Sequence, residues 1–147
     1  MSKLSKHGVL TTSPGDIIAE QLEYVGMSQA ELAERMGRSI PKINELIKGK
    51  APLTEDTALK LESVTGLSSH TLLNIERTYR DSLLEYKKNE ILSSYVDWSK
   101  KFPAKLLKNI GLVKSNLTQI QLAEELLKFF GVASPSEWEH ILSLIHI

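Results

Sequence analysis

Residues 27–50, MSQAELAERMGRSIPKINELIKGK, restrict the fold more than any other stretch of this chain. Ser28 predicts a helix N-cap, and Glu31 three positions later completes a capping-box signature. Leu32, Ala33 and Met36 give that short helix one apolar face, and Gly37 follows where a helix commonly ends in positive φ. A second helix carries Ile43, Leu46 and Ile47 at i, i+3 and i+4, so the three share a face turned inward. Gly49 ends it. A helix, a Gly-containing turn and a second helix make the helix-turn-helix pattern.

In that pattern the second helix is the one that enters the major groove of DNA. Its outer surface is composed accordingly. Arg38, Ser39, Ile40, Pro41, Lys42 and Glu45 are not needed for the inner stripe. Between positions 35 and 50 the cations are Arg35, Arg38, Lys42, Lys48 and Lys50, against the single anion Glu45. A duplex presents dense phosphate charge, so a local basic cluster is the expected footprint of a DNA-binding surface. The competing reading is an ordinary helical hairpin with a solvated basic face. Arg38 and Lys42 are the candidates for guanine O6 and N7, Ser39 for either kind of base edge, and Ile40 and Pro41 for a thymine methyl. Glu45 completes the base-facing set. Lys48 and Lys50 are candidates for phosphate contacts, which position the protein without reading sequence.

The flanking segments supply the rest of an all-α domain. Ser13-Pro14 reads as an N-cap followed by Pro at the first helical position. Ile17, Ile18, Leu22 and Val25 follow as the apolar side of that helix, and Gly26 stops it. After the hairpin, Pro52 forces a loop. Thr54 caps a fourth helix, whose Glu55 and Asp56 suit the positive end of the helix dipole. Ala58, Leu61 and Val64 face its core. Ser68 or Ser69 caps a fifth helix carrying Leu72, Ile75 and Tyr79. No Gly occurs between Gly66 and Gly111 and no Pro between Pro52 and Pro103, so helix extends from Ser69 toward Lys101, with Ser93-Ser94 the expected break. Ile91, Tyr95, Trp98 and Phe102 form an aromatic stripe, a core or helix–helix seam rather than a cofactor site. Further helices start at Pro103, at the Thr118/Gln121 capping box and at Ser134-Pro135.

Residues 28–50 resemble the helix-turn-helix of the XRE group, the Cro and phage-repressor type. The longer run from Ser13 to Asn74 resembles the HigA-like addiction-module antitoxins. It matches through SPGDIIAEQLEYVGMSQAELAERMG, INELIKGKAPLTEDTALKLESVTGLS and LLNIERTYR. Two departures stand out: Ser13 where that subgroup usually has His, and Pro41 one place later than its usual position. The resemblance implies a five-helix repressor-type domain over residues 13–80, a homodimer on an inverted-repeat operator, and a toxin as protein partner. It also implies that Gln29 bonds a phosphate. VDWSKKFPAKLLKNIG and LLKFFGVASPSEW resemble the connector of antitoxin-type proteins fused to an ImmA/IrrE-type metallopeptidase. The alternative function is therefore the regulatory N-terminal segment of such a regulator.

These readings divide the chain into a flexible arm (1–12), a DNA-binding domain (13–80), a helical connector or interaction region (81–141) and a tail (142–147). The tail, LSLIHI, resembles a translated sequencing adapter and is expected to be non-native. No HExxH motif is present, and His7, His70, His140 and His146 contain no i, i+4 pair, so neither a metal site, a cofactor nor an enzyme is expected. The absence of cysteine excludes disulfides and thiolate metal sites, and fits a reducing cytoplasm. No run approaches membrane-spanning length. The formal net charge of zero leaves DNA binding to a local patch rather than to the whole chain.

Overall fold

The computed structural model describes residues 11–111, 113, 114 and 116–145. Most of the expected N-terminal arm, with His7, lies outside the described residues, as do His146 and Ile147. Among the described residues all regular structure is helical. The elements are α1 (Pro14–Val25), α2 (Gln29–Met36), α3 (Ile40–Ile47), α4 (Glu55–Thr65), α5 (Ser69–Ser93), α6 (Val96–Ser99), α7 (Ala104–Asn109), α8 (Gln119–Phe130) and α9 (Pro135–Ile145). Two compact units divide the chain, with the boundary between Leu84 and Glu85.

The first unit is built on its caps. Ser13 and Asp16 form a reciprocal capping box at the start of α1. Ser28, Ser39 and Thr54 each accept a backbone N–H at the start of α2, α3 and α4. The box expected at α2 is only half made. Ser28 Oγ accepts the Glu31 N–H at 3.1 Å, but the Glu31 carboxylate turns to Arg35 at 2.7 Å instead of returning to the cap. Ser68, of the two candidates, caps α5 by accepting the Thr71 N–H.

One core unites these helices. Ile18 and Leu22 of α1, Leu32, Ala33 and Met36 of α2, and Ile43 and Leu46 of α3 are buried with Leu53, Ala58, Leu61 and Leu72. Each fully buried Leu or Ile contributes roughly 1.5–3 kcal/mol of transfer free energy. Val25 departs from expectation: at the last turn of α1 it is 46% exposed. The approach of α1 to α3 is close enough to dictate a residue type. A Cβ on Gly15 would lie 2.0 Å from the carbonyl oxygen of Ile47. Only glycine lets the start of α1 rest against the end of α3.

In the second unit the expected break falls at Ser93-Ser94. Their hydroxyls donate to the carbonyls of Glu90 (2.7 Å) and Ile91 (2.6 Å), satisfying groups that the end of a helix leaves free. The break shifts the expected stripe. Leu92 rather than Ile91 is buried, and Ile91 is 45% exposed. Trp98 is buried and packs edge-on against Phe102 (5.1 Å between ring centroids) and Trp138 (5.8 Å), with Phe130 also in the cluster. Leu126 and Ala123 of α8 complete that core. Helix α9 passes Ile141 without interruption and takes in residues 142–145 of the expected tail, with Leu144 and Ile145 exposed.

Candidate nucleic-acid interface

Helix α3 presents its outer face as the sequence predicts. Ser39, Ile40, Pro41, Lys42, Glu45, Lys48 and Lys50 are all exposed. The inner face is anchored by Ile43 and Leu46, 1% and 7% exposed. Ser39 Oγ accepts the Lys42 N–H at 3.4 Å, so the hydroxyl that caps the helix keeps its own proton free to donate outward. Pro41 falls within the first turn, where its missing N–H costs no intrahelical bond.

The five cations do not share one state. Arg35 pairs with Glu31 on its own helix. Arg38 pairs with Asp56 of α4 at 2.6 Å, and Asp56 is also 3.3 Å from Lys60. Among the described residues, Lys42, Lys48 and Lys50 form no ion pair. The electrostatic surface therefore narrows to those three lysines. Arg38, expected as a free base reader, is instead held by an intramolecular carboxylate. Its Nε is buried without a partner, which leaves only the two terminal nitrogens to address a base. Arg38, Lys42 and Glu45 line one surface hollow, so these three charged candidates lie together.

Gln29, at the start of α2, has its carbonyl oxygen occupied by Asn44 Nδ2 of α3 at 3.3 Å. That contact turns the Gln29 amide so that its NH₂ remains the available donor, the polarity a phosphate requires. Asn44 was not legible as a site residue, because its role is to orient a neighbour across the hairpin. Asp56 was legible as a helix-dipole partner but not as the residue that holds Arg38. Among the described residues no group of three His, Asp or Glu is placed to hold a metal ion. No helix among them is long and apolar enough to cross a membrane.

Comparison with known proteins identifies relatives of this chain. The helix-turn-helix family HTH_3 matches residues 18–72, which span α2 and α3 and the helices that brace them. The chain is 39% identical to an uncharacterized HTH-type transcriptional regulator, YddM, of Escherichia coli (strain K12). That match covers 51% of this chain and 78% of the relative. It is 33% identical to virulence-associated protein I of Dichelobacter nodosus, over 53% of this chain and 73% of that protein. A crystal structure of a hypothetical protein from E. coli is similar with a TM-score of 0.45 and 21% identity, over 72% of this chain and 93% of that one. The chain belongs to the XRE-type helix-turn-helix family HTH_3, a family of DNA-binding transcriptional regulators.

Proposed function

We propose that this protein is a sequence-specific transcriptional repressor. It inserts the N-terminal end of α3 into the major groove and binds as a homodimer to an inverted-repeat operator. The observation that carries this reading is the exposed face of α3 and its exit, where Lys42, Lys48 and Lys50 have no ion-pair partner among the described residues. Lys48, Lys50 and the Gln29 NH₂ contact phosphates and fix the register. Lys42 reaches a guanine. Arg38 reaches another through its terminal nitrogens while Asp56 steadies the guanidinium. Ser39 donates to a base edge, and Glu45 accepts from a cytosine amino group. Ile40 and Pro41 offer no side-chain hydrogen bond and meet a thymine methyl, so part of the selectivity is read from DNA shape.

A two-fold protein imposes two-fold DNA, so the operator is an inverted repeat with half-sites one helical turn apart. The continuous resemblance from Ser13 to Asn74 supports a finer assignment: the antitoxin of a HigBA-like module, repressing its own operon in the cytoplasm. Residues 13–80 are then the DNA-binding domain, and residues 81–141 are the region that meets the toxin.

The test is differential. Replacing Lys42 or Arg38 by Ala costs about 1–3 kcal/mol on the operator and relaxes one base position, with a smaller loss on random DNA. Titration of both variants against operator and scrambled duplexes measures this. Equal losses on the two duplexes remove the base-reading role. For the antitoxin assignment, the toxin encoded beside this gene co-purifies with the chain when the whole operon is expressed, and its absence from the purified complex overturns that assignment.

A further inference from the structure

Beyond the residues that face DNA, α5 holds the backbone that carries one of them. Glu76 is only 8% exposed, although it is a carboxylate on a helix with a solvated side. It accepts the Leu53 N–H at 3.1 Å and the Arg80 Nε–H at 2.7 Å. Arg80 Nη2 then donates to the carbonyls of Ala51 (3.2 Å) and Gly49 (3.4 Å). Those two carbonyls belong to the residues on either side of Lys50. The Lys50 N–H itself donates to the Glu45 carbonyl at 2.9 Å. Tyr79 stands behind Gly49, where an added Cβ would lie 3.3 Å from its hydroxyl. Lys50 is thus gripped before, at and after its own position, while its side chain is exposed. Burying a charged pair carries a desolvation cost, so a partly buried Glu76–Arg80 pair is a weak choice if stability alone is served.

We propose that Glu76 and Arg80 are positioning residues for DNA binding: they fix the loop that follows α3 so that the Lys50 ammonium meets a phosphate. This rests on the reading of Lys50 as a phosphate contact. The experiment uses the full chain, the operator and a random duplex, with affinity followed over a range of salt concentrations. Lys50→Ala lowers the salt slope by about 0.9 per protomer, the value of one phosphate, on both duplexes. Arg80→Lys keeps the charge but cannot fork across two carbonyls and a carboxylate. It lowers the slope by a similar amount, leaves the operator-to-random ratio unchanged, and adds nothing in the Lys50→Ala background. Should Arg80→Lys unfold the protein, Glu76→Gln carries the same test, because it keeps an acceptor for the Leu53 N–H and loses the anionic hold on Arg80.

A wild-type slope in a folded Arg80 or Glu76 variant, beside a reduced slope for Lys50→Ala, overturns the positioning role and spares the phosphate contact. Additive losses in the double variant overturn it as well, since Arg80 would then meet a phosphate directly. A wild-type slope for Lys50→Ala overturns the phosphate contact itself, and the positioning role with it.

Discussion

Gly15 has no side chain because the carbonyl of Ile47 occupies the place where one would go. A methyl group there must displace the end of α3, whose exit carries Lys48 and Lys50. Gly15→Ala is therefore expected to cost at least ~1–3 kcal/mol, in the range of overpacked sites. Thermal unfolding of the variant measures it, and an unchanged melting temperature would mean that α1 shifts freely. The residue type was visible in the sequence but its reason was not. Ser13-Pro14-Gly15-Asp16 reads as a helix start, and nothing local says that another backbone lies 2.0 Å from a missing Cβ. Arg38 is the same kind of case. Its charge and place before the recognition helix were legible, but its partner Asp56 lies 18 residues away. Only the packing of α4 against α2 brings the two together. The exposure of Lys42 was legible, because the apolar period of α3 leaves that position outside, whereas Lys48 and Lys50 lie past the last residue of α3.

Among elements, α5 and α8 are joined by a pair whose titrations are both shifted, Lys88 and Glu124. The Lys88 ammonium, 2.6 Å from Glu124, holds that carboxyl below the ordinary carboxylate range, and Lys128 adds to the effect from 3.3 Å. The hydrogen bond to Glu124 in turn raises Lys88 above the ordinary lysine value. A lowered carboxyl pKa gives stability that is present above the unfolded value and fades as pH falls through the folded one. A raised lysine pKa gives stability that is present below the unfolded value and fades as pH rises through the folded one. Glu124→Gln should thus be less stable than the wild type near neutrality, and the difference should shrink as acid protonates Glu124. Denaturant titrations across pH check this, and a pH-independent difference would rule the pair out as its source.

Helix ends were the most legible elements, because caps are local chemistry. Thr118 and Gln121 form their box, with bonds of 2.9 and 3.2 Å, where the spacing placed it. The stripe through Ile91 was misread in register, because the turn between α5 and α6 moves every later residue to a new azimuth.

The whole molecule is electrically neutral, so its grip on a duplex depends on which cations remain free of internal partners. Among the described residues Lys48 and Lys50 do so at the proposed phosphate contacts, and at about 0.9 per phosphate they set a slope of log affinity against log salt near −1.8 per protomer. A homodimer on an inverted repeat doubles this to about −3.6. A slope well beyond that value would show that DNA draws Arg35 and Arg38 away from Glu31 and Asp56, and a slope near zero would remove the phosphate contacts altogether. Fluorescence anisotropy over a salt series decides between these outcomes.

Both tryptophans of the chain, Trp98 and Trp138, sit in the same aromatic nest of the second unit. The first unit carries no indole. Tryptophan emission is thus a one-sided reporter: it follows melting or ligand capture in residues 85 onward, and it is blind to events in the first unit unless they are transmitted along the chain.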